Sequence, residues 1–142
     1  MARDVLVIGG QVRYAQTISV GHHVLQSDEP VEAGGRDVGP DPYELLLTAL
    51  GSCMSITLRM YADRKQWPLE DVRIRLSYGR VYLDDCATCD GELKLTNAIQ
   101  VQLALIGDLS ELQRRRFLEI AEKCPVHRTL TSPIPIHTTL AP

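Results

Sequence analysis

At 142 residues the chain has the length of one ordinary domain, and chains of this size bury about 68–70% of their unfolded surface, enough for one core without staples. Fifteen Lys and Arg against eighteen Asp and Glu give a net charge of -3, which argues against general nucleic-acid binding, while 44% hydrophobic residues exclude compositional disorder. No run reaches the ~20 apolar residues of a membrane span and the N-terminus carries no cleavage pattern, so the expected compartment is the cytosol, where four cysteines are expected to be free, catalytic or metal-bound.

The first thirty residues read as strands. Val5 to Ile8 is apolar and is broken by Gly9-Gly10; Val12 to Ile18 alternates loosely; Gly21 allows a turn into His23-Val24-Leu25, which ends in the polar cluster Gln26-Ser27-Asp28-Glu29-Pro30. Residues 31–41, with Gly34-Gly35, Gly39 and Pro40, read as a loop. A long helix follows. Asp41-Pro42-Tyr43-Glu44 has the pattern of a capping box, with Pro at the first helical position. From Leu45 to Tyr61 the segment is apolar nearly all round, its one polar stripe being Glu44, Thr48, Ser52, Ser55 and Arg59, so it is expected at the centre of a structure. The helix is expected to end near Lys65, before Trp67-Pro68, and Trp67 and the methionines read as core.

Val72, Ile74, Leu76 and Tyr78 alternate with Arg73, Arg75, Ser77 and Gly79, and Ile99, Val101, Leu103 and Leu105 with Gln100, Gln102, Ala104 and Ile106, which predicts two strands with one face on a core and one largely wet. Asp84 to Gly91 between them is a polar turn. Ser110 and Gln113 open a second helix with another capping box, and Leu112, Phe117, Ile120, Ala121 and Cys124 are expected to share its apolar face. Pro125 breaks that helix, Val126 to Leu130 forms a short helical turn, and Ile134, Ile136, Thr138 and Leu140 alternate as a last strand. The order is strands, buried helix, two strands, helix, strand. It lacks the regular alternation of a doubly wound sheet, so the fold class is α+β with antiparallel pairs. A helix apolar on all sides needs more cover than one small sheet provides, which points to a second copy in a symmetric homodimer.

The cysteines are the residues with chemistry to offer. Cys53 in mid-helix has a plain reading as a small core residue. Cys124, the last residue before Pro125, offers a thiol at a helix break, and two such cysteines on different helices can make a peroxidatic and resolving pair, if a cation lowers one pKa and the sulfurs reach one another. Cys86-Ala87-Thr88-Cys89 is flanked by Asp84, Asp85 and Asp90, whose charges oppose thiolate formation; the readings rank as an inert pair, then a labile disulfide, then a metal site, since zinc needs four ligands.

Glu44 lies nine residues before Cys53, about 900° round a helix, hence on the opposite face; a capping role is the direct reading, with a second subunit's site as the alternative. Arg36 in the glycine-rich loop is a candidate cation against the plain reading of a solvated loop charge, and Arg128 is a weaker one. His22 and His23 sit at a turn and read as structural.

The run Asp41 to Cys53 together with Lys123-Cys124-Pro125-Val126-His127 resembles the OsmC/Ohr family (osmotically induced protein C and organic hydroperoxide resistance protein), and Gly21 to Leu25 with Gly39-Pro40 looks like its OsmC-like branch. The resemblance implies an OsmC-like fold, with antiparallel sheets wrapped around central helices in an intertwined homodimer. It implies a cytoplasmic thiol peroxidase that reduces a small-molecule organic hydroperoxide without cofactor or metal. In this reading Cys53 is peroxidatic and Cys124 resolving, Arg36 and Glu44 are the charged site residues, with Arg13 competing for the arginine's role, and a dithiol reductant closes the cycle. Where peroxidase members place a glutamate directly after Asn-Pro, this chain has Tyr43, with Glu44 one later. The alternative is a non-enzymatic protein holding an apolar ligand at the dimer interface. A third reading is a metal or redox sensor built on Cys86 and Cys89.

Overall fold

The computed structural model describes residues 3–82 and 95–142, with the side chains of 81, 82 and 95 excepted. The Cys86–Cys89 motif therefore lies outside the described residues. The chain divides into two compact units, Met1–Leu46 and Leu47–Pro142.

In the first unit, β1 (Val5–Gly9), β2 (Gln16–Val20) and β3 (His23–Ser27) form an antiparallel sheet in that order. Val7 pairs with Ile18, and Ile18 with Leu25. Gly21, at φ 59°, opens the two-residue turn between Val20 and His23, a backbone conformation that costs glycine nothing. The strand expected over 12–18 starts only at Gln16. Ala15 N–H closes a turn on the Val12 carbonyl at 3.1 Å and Arg13 is left-handed at φ 46°, so the chain reverses before it can pair. The glycine-rich stretch is the expected loop, with one short 3₁₀ turn at Val31–Ala33.

The second unit is built on α1 (Pro42–Lys65), which begins in the first. The long strands β4 (Asp71–Tyr82) and β5 (Leu95–Ile106) pair antiparallel, Tyr78 opposite Ile99, followed by α2 (Glu111–Ala121) and α3 (Pro125–Leu130). Leu50, Met54, Leu58, Tyr61 and Ala62 form one buried stripe of α1, the i, i+4, i+8, i+11 spacing of a helix face. Val72, Ile74, Leu76, Ile99, Leu103 and Leu105 pack against the same core from the strands. Gly51 allows close approach: a Cβ there would stand 2.7 Å from Leu76 Cδ1. Phe117 from α2 meets Tyr61 and Trp67 edge-on, at centroid separations of 6.0 and 5.4 Å. Arg114 ties α2 to the end of β5, donating to the carbonyls of Leu105 at 2.6 Å and Gly107 at 3.1 Å. The α+β class with antiparallel sheets is thus the observed architecture.

Four expectations are corrected. α1 is buried along one stripe rather than all round, leaving Ile56 57% and Met60 68% exposed, so Met60 is not core. The helix is also long and apolar enough, with mean hydropathy 1.3 over its best window, to match a membrane span by composition, so the statement that no run approaches one was too strong; its polar stripe and packed face are those of a core helix. Leu112 is 79% exposed, because five residues from Phe117 is about 140° round the helix. Finally, residues 134–140 form no strand. Pro133 and Pro135 lack N–H donors, no described strand pairs with the segment, and Ile136 and Leu140 stand in solvent.

Candidate functional site

Cys53 and Cys124, far apart in sequence, meet in the C-terminal unit. Cys53 is on the flank of the buried stripe of α1, one residue before Met54, and is half-buried. Cys124 is fully buried at the junction of α2 and α3, and both thiols are free. The junction is made by Pro125, which takes the first position of α3 and leaves Cys124 extended at φ -63°, ψ 148°. In that conformation Cys124 is the N-cap: its Sγ accepts the His127 backbone N–H at 3.3 Å, and its carbonyl accepts Arg128 N–H at 3.1 Å.

The two thiols lie close enough to interact, and each feels the other's state of protonation. Burial pushes the Cys124 thiol above its ordinary pKa; the His127 N–H opposes this, and the interaction with Cys53 adds to it. Cys124 therefore favours its protonated form beside the other sulfur.

Beside the pair runs a groove of about 670 Å³. Leu50 and Met54 bracket Cys53 on its α1 wall; Ile99 and Leu103 of β5, Leu118 of α2 and Leu130 of α3 extend the apolar lining. His127 and Glu122 bring polar groups to the same groove. A partly open, mainly apolar trough with some polar groups suits a small organic molecule.

The other predicted site residues belong to the N-terminal unit. Glu44 is the carboxylate of the α1 capping box: Asp41 N–H donates to Glu44 Oε2 and Glu44 N–H to Asp41 Oδ1, both at 2.8 Å. Arg36 lies in the loop, its backbone N–H held by Asp28 Oδ2 at 3.1 Å, and it makes no ion pair among the described residues. Arg13 donates to the Gly34 carbonyl at 3.3 Å. His22 and His23 sit at the β2–β3 turn with ring centroids 4.1 Å apart, and Arg128 is exposed on α3. Among the described residues no cluster of three metal-ligating side chains occurs.

Asp28 organises the Arg36 loop and was passed over in the sequence. It is buried, and its carboxylate accepts Glu29 N–H at 2.8 Å, Arg36 N–H at 3.1 Å and Val38 N–H at 3.4 Å. Burial alone would raise this carboxyl; the three N–H groups and the Arg36 charge outweigh it and hold the pKa below the usual range. The signal was available: an Asp entering a glycine-rich loop commonly caps backbone N–H groups.

An α+β fold thus brings two free cysteines together beside a mainly apolar groove. A family model described as OsmC-like protein matches residues 34–139, and the chain belongs to that family. The fold is also that of several solved structures. An OsmC-like protein from Mycoplasma pneumoniae superposes with TM-score 0.72 at 20% identity, over 92% of this chain and 87% of that one. An organic hydroperoxide resistance protein OsmC from Legionella pneumophila gives 0.66 at 20%, over 92% and 90%. An organic hydroperoxide resistance protein from Elizabethkingia anophelis, with thiocyanate bound, gives 0.67 at 12%, over 92% and 89%. No curated protein sequence matches the chain.

Proposed function

We propose that the protein is a thiol-dependent peroxidase that reduces organic hydroperoxides in defence against oxidative stress. The observation that carries this reading is the meeting of the two free thiols, Cys53 packed against the core that holds Cys124. The more accessible Cys53, as thiolate, attacks the terminal peroxide oxygen; the O–O bond breaks, an alcohol leaves and Cys53 becomes a sulfenic acid. Cys124 sulfur then attacks Cys53 sulfur, water departs and a disulfide remains, which a dithiol reductant opens by exchange. The apolar groove favours alkyl and aryl hydroperoxides over hydrogen peroxide. Arg36 and Glu44 are assigned to control of charge at the site by the family pattern. The cycle is assigned to the cytoplasm, a reducing compartment in which a dithiol reductant keeps returning both cysteines to thiols.

The working unit in this reading is a homodimer. β1 is exposed along its length, as are Ile56, Met60 and the segment 134–140, and a second copy supplies the cover these apolar residues lack. Light scattering coupled to size exclusion should give twice the chain mass.

The test is consumption of cumene hydroperoxide with a dithiol reductant by wild type, Cys53→Ser and Cys124→Ser. Wild type should turn over, Cys53→Ser should lose turnover, and Cys124→Ser should stop at a sulfenic acid trapped by dimedone. A wild type whose thiols stay titratable in excess peroxide sinks the reading. The groove then supports the alternative, a non-enzymatic protein binding an apolar ligand, which native mass spectrometry of the purified protein would detect.

A further inference from the structure

Reduction of an alkyl hydroperoxide by a thiolate has a difficult half. As the S–O bond forms and the O–O bond breaks, the electron pair passes to the departing oxygen, and an alkoxide is too basic to leave well without a proton. Neither cysteine supplies it at that moment: Cys53 reacts as the deprotonated sulfur, and Cys124 needs its own proton for the water released in the second step. A third group must deliver the proton at the groove.

We propose that His127 is that proton donor, a further catalytic residue of the reaction; the inference rests on the peroxidase reading. Three observations place it. Its backbone N–H is bonded to Cys124 Sγ at 3.3 Å, so the residue is anchored on the sulfur that interacts with Cys53. The first turn of α3, fixed by Pro125, brings His127 to the groove wall, which Leu50 and Met54 on either side of Cys53 also line. The residue is half-buried, with no side-chain hydrogen bond to another described residue. Of the polar groove residues, Glu122 is a carboxylate, Asn97 an amide, and Tyr78 and Thr131 carry hydroxyls; imidazole is the one suited to hold and release a proton near neutrality.

The step balances. Cys53 ionises and His127 carries the proton. The thiolate sulfur bonds to the terminal oxygen and is oxidised by two electrons as the peroxide is reduced. The His127 proton passes to the departing oxygen, leaving Cys53 sulfenic acid, an alcohol and neutral imidazole.

A leaving-group comparison tests it. Peroxycarboxylic acids release a weakly basic carboxylate and need no proton donor; cumene hydroperoxide does. Stopped-flow oxidation of Cys53 by cumene hydroperoxide and by peroxyacetic acid is measured for wild type, His127→Ala and His127→Gln. Both variants should slow with cumene hydroperoxide by about a hundredfold or more, with the peroxyacetic acid rate retained, and imidazole in solution should restore part of the His127→Ala loss. If His127→Ala fails to fold, His127→Gln, which keeps a polar side chain in α3 but no transferable proton, carries the comparison. Equal slowing with both oxidants, or no slowing with either, overturns the assignment while leaving the peroxidase intact. A wild type oxidised by neither compound removes the peroxidase reading, and the proton donor with it.

Discussion

In the N-terminal unit, Ile18, Ser27 and Asp28 are the buried residues among those described, whereas the C-terminal unit closes a continuous core around Leu58 and Phe117, both without solvent exposure. The first unit is held by polar bonds. Ser27 Oγ donates to the Pro40 carbonyl at 2.8 Å, the Asp28 carboxylate gathers three N–H groups, and Gly35 N–H reaches the Pro30 carbonyl at 3.0 Å. Its strands leave Val5, Leu6, Val7 and Ile8 more than half exposed. The second unit is held by apolar burial, and the cysteine pair is part of that core. A dithiol that must form and break one bond repeatedly is set where close packing fixes both partners; the loop bearing Arg36 is shaped instead by directional bonds to one carboxylate.

Phe117→Ala should show the largest effect. It empties a fully buried site, where such truncations cost about 3–5 kcal/mol. Urea unfolding followed by the fluorescence of Trp67, the single tryptophan, reads the loss directly, because its ring lies 5.4 Å from that of Phe117. A loss below about 1 kcal/mol would show that the C-terminal core is not what holds this unit.

Asp28→Asn probes the opposite means. The Oδ2 that accepts from both Arg36 and Val38 becomes, or turns toward, an amide donor, and the loop should loosen. The pH dependence has a definite sign. The folded-state pKa lies below the unfolded one, so the stabilisation is present above about pH 4, the ordinary carboxylate value, and is lost as pH falls through the folded pKa. Amide exchange at Glu29, Arg36 and Val38 should therefore be faster in the variant at neutral pH, and the two proteins should converge in acid. Equal protection of these amides at neutral pH would break the contrast between the units.

How far the sequence announced this structure follows the range of each interaction. Local signals were sufficient for the Asp41–Glu44 and Ser110–Gln113 boxes, for α1 ending at Lys65 and for the Pro125 break, since each depends on residues within one turn. The alternation of 72–78 and 99–105 gave two strands but not their full length. Segment 134–140 alternates equally well and is no strand, because pairing requires an edge that alternation does not reveal. The cysteine pair was legible as two motifs; the meeting of the thiols and the groove depend on packing between elements far apart in sequence. Glu44 was read correctly as a cap, and Asp28, whose partners are up to ten residues away, was not seen.

Ser110→Ala should show a smaller effect than Phe117→Ala, and it sets a polar device inside the apolar unit. Ser110 Oγ accepts Gln113 N–H at 3.1 Å, and Gln113 Oε1 accepts Ser110 N–H at 2.9 Å. Removing the hydroxyl leaves one N–H to solvent, at a cost of about 1 kcal/mol for an exposed cap. The neighbouring exposed pair Arg115–Glu111, 3.6 Å apart along the same helix, supplies the reference: Arg115→Ala should cost no more than about 0.5 kcal/mol. The order Phe117→Ala, then Ser110→Ala, then Arg115→Ala in urea midpoint is what a unit held by burial requires. If Ser110→Ala equalled Phe117→Ala, the two units would differ in what they bury but not in what holds them.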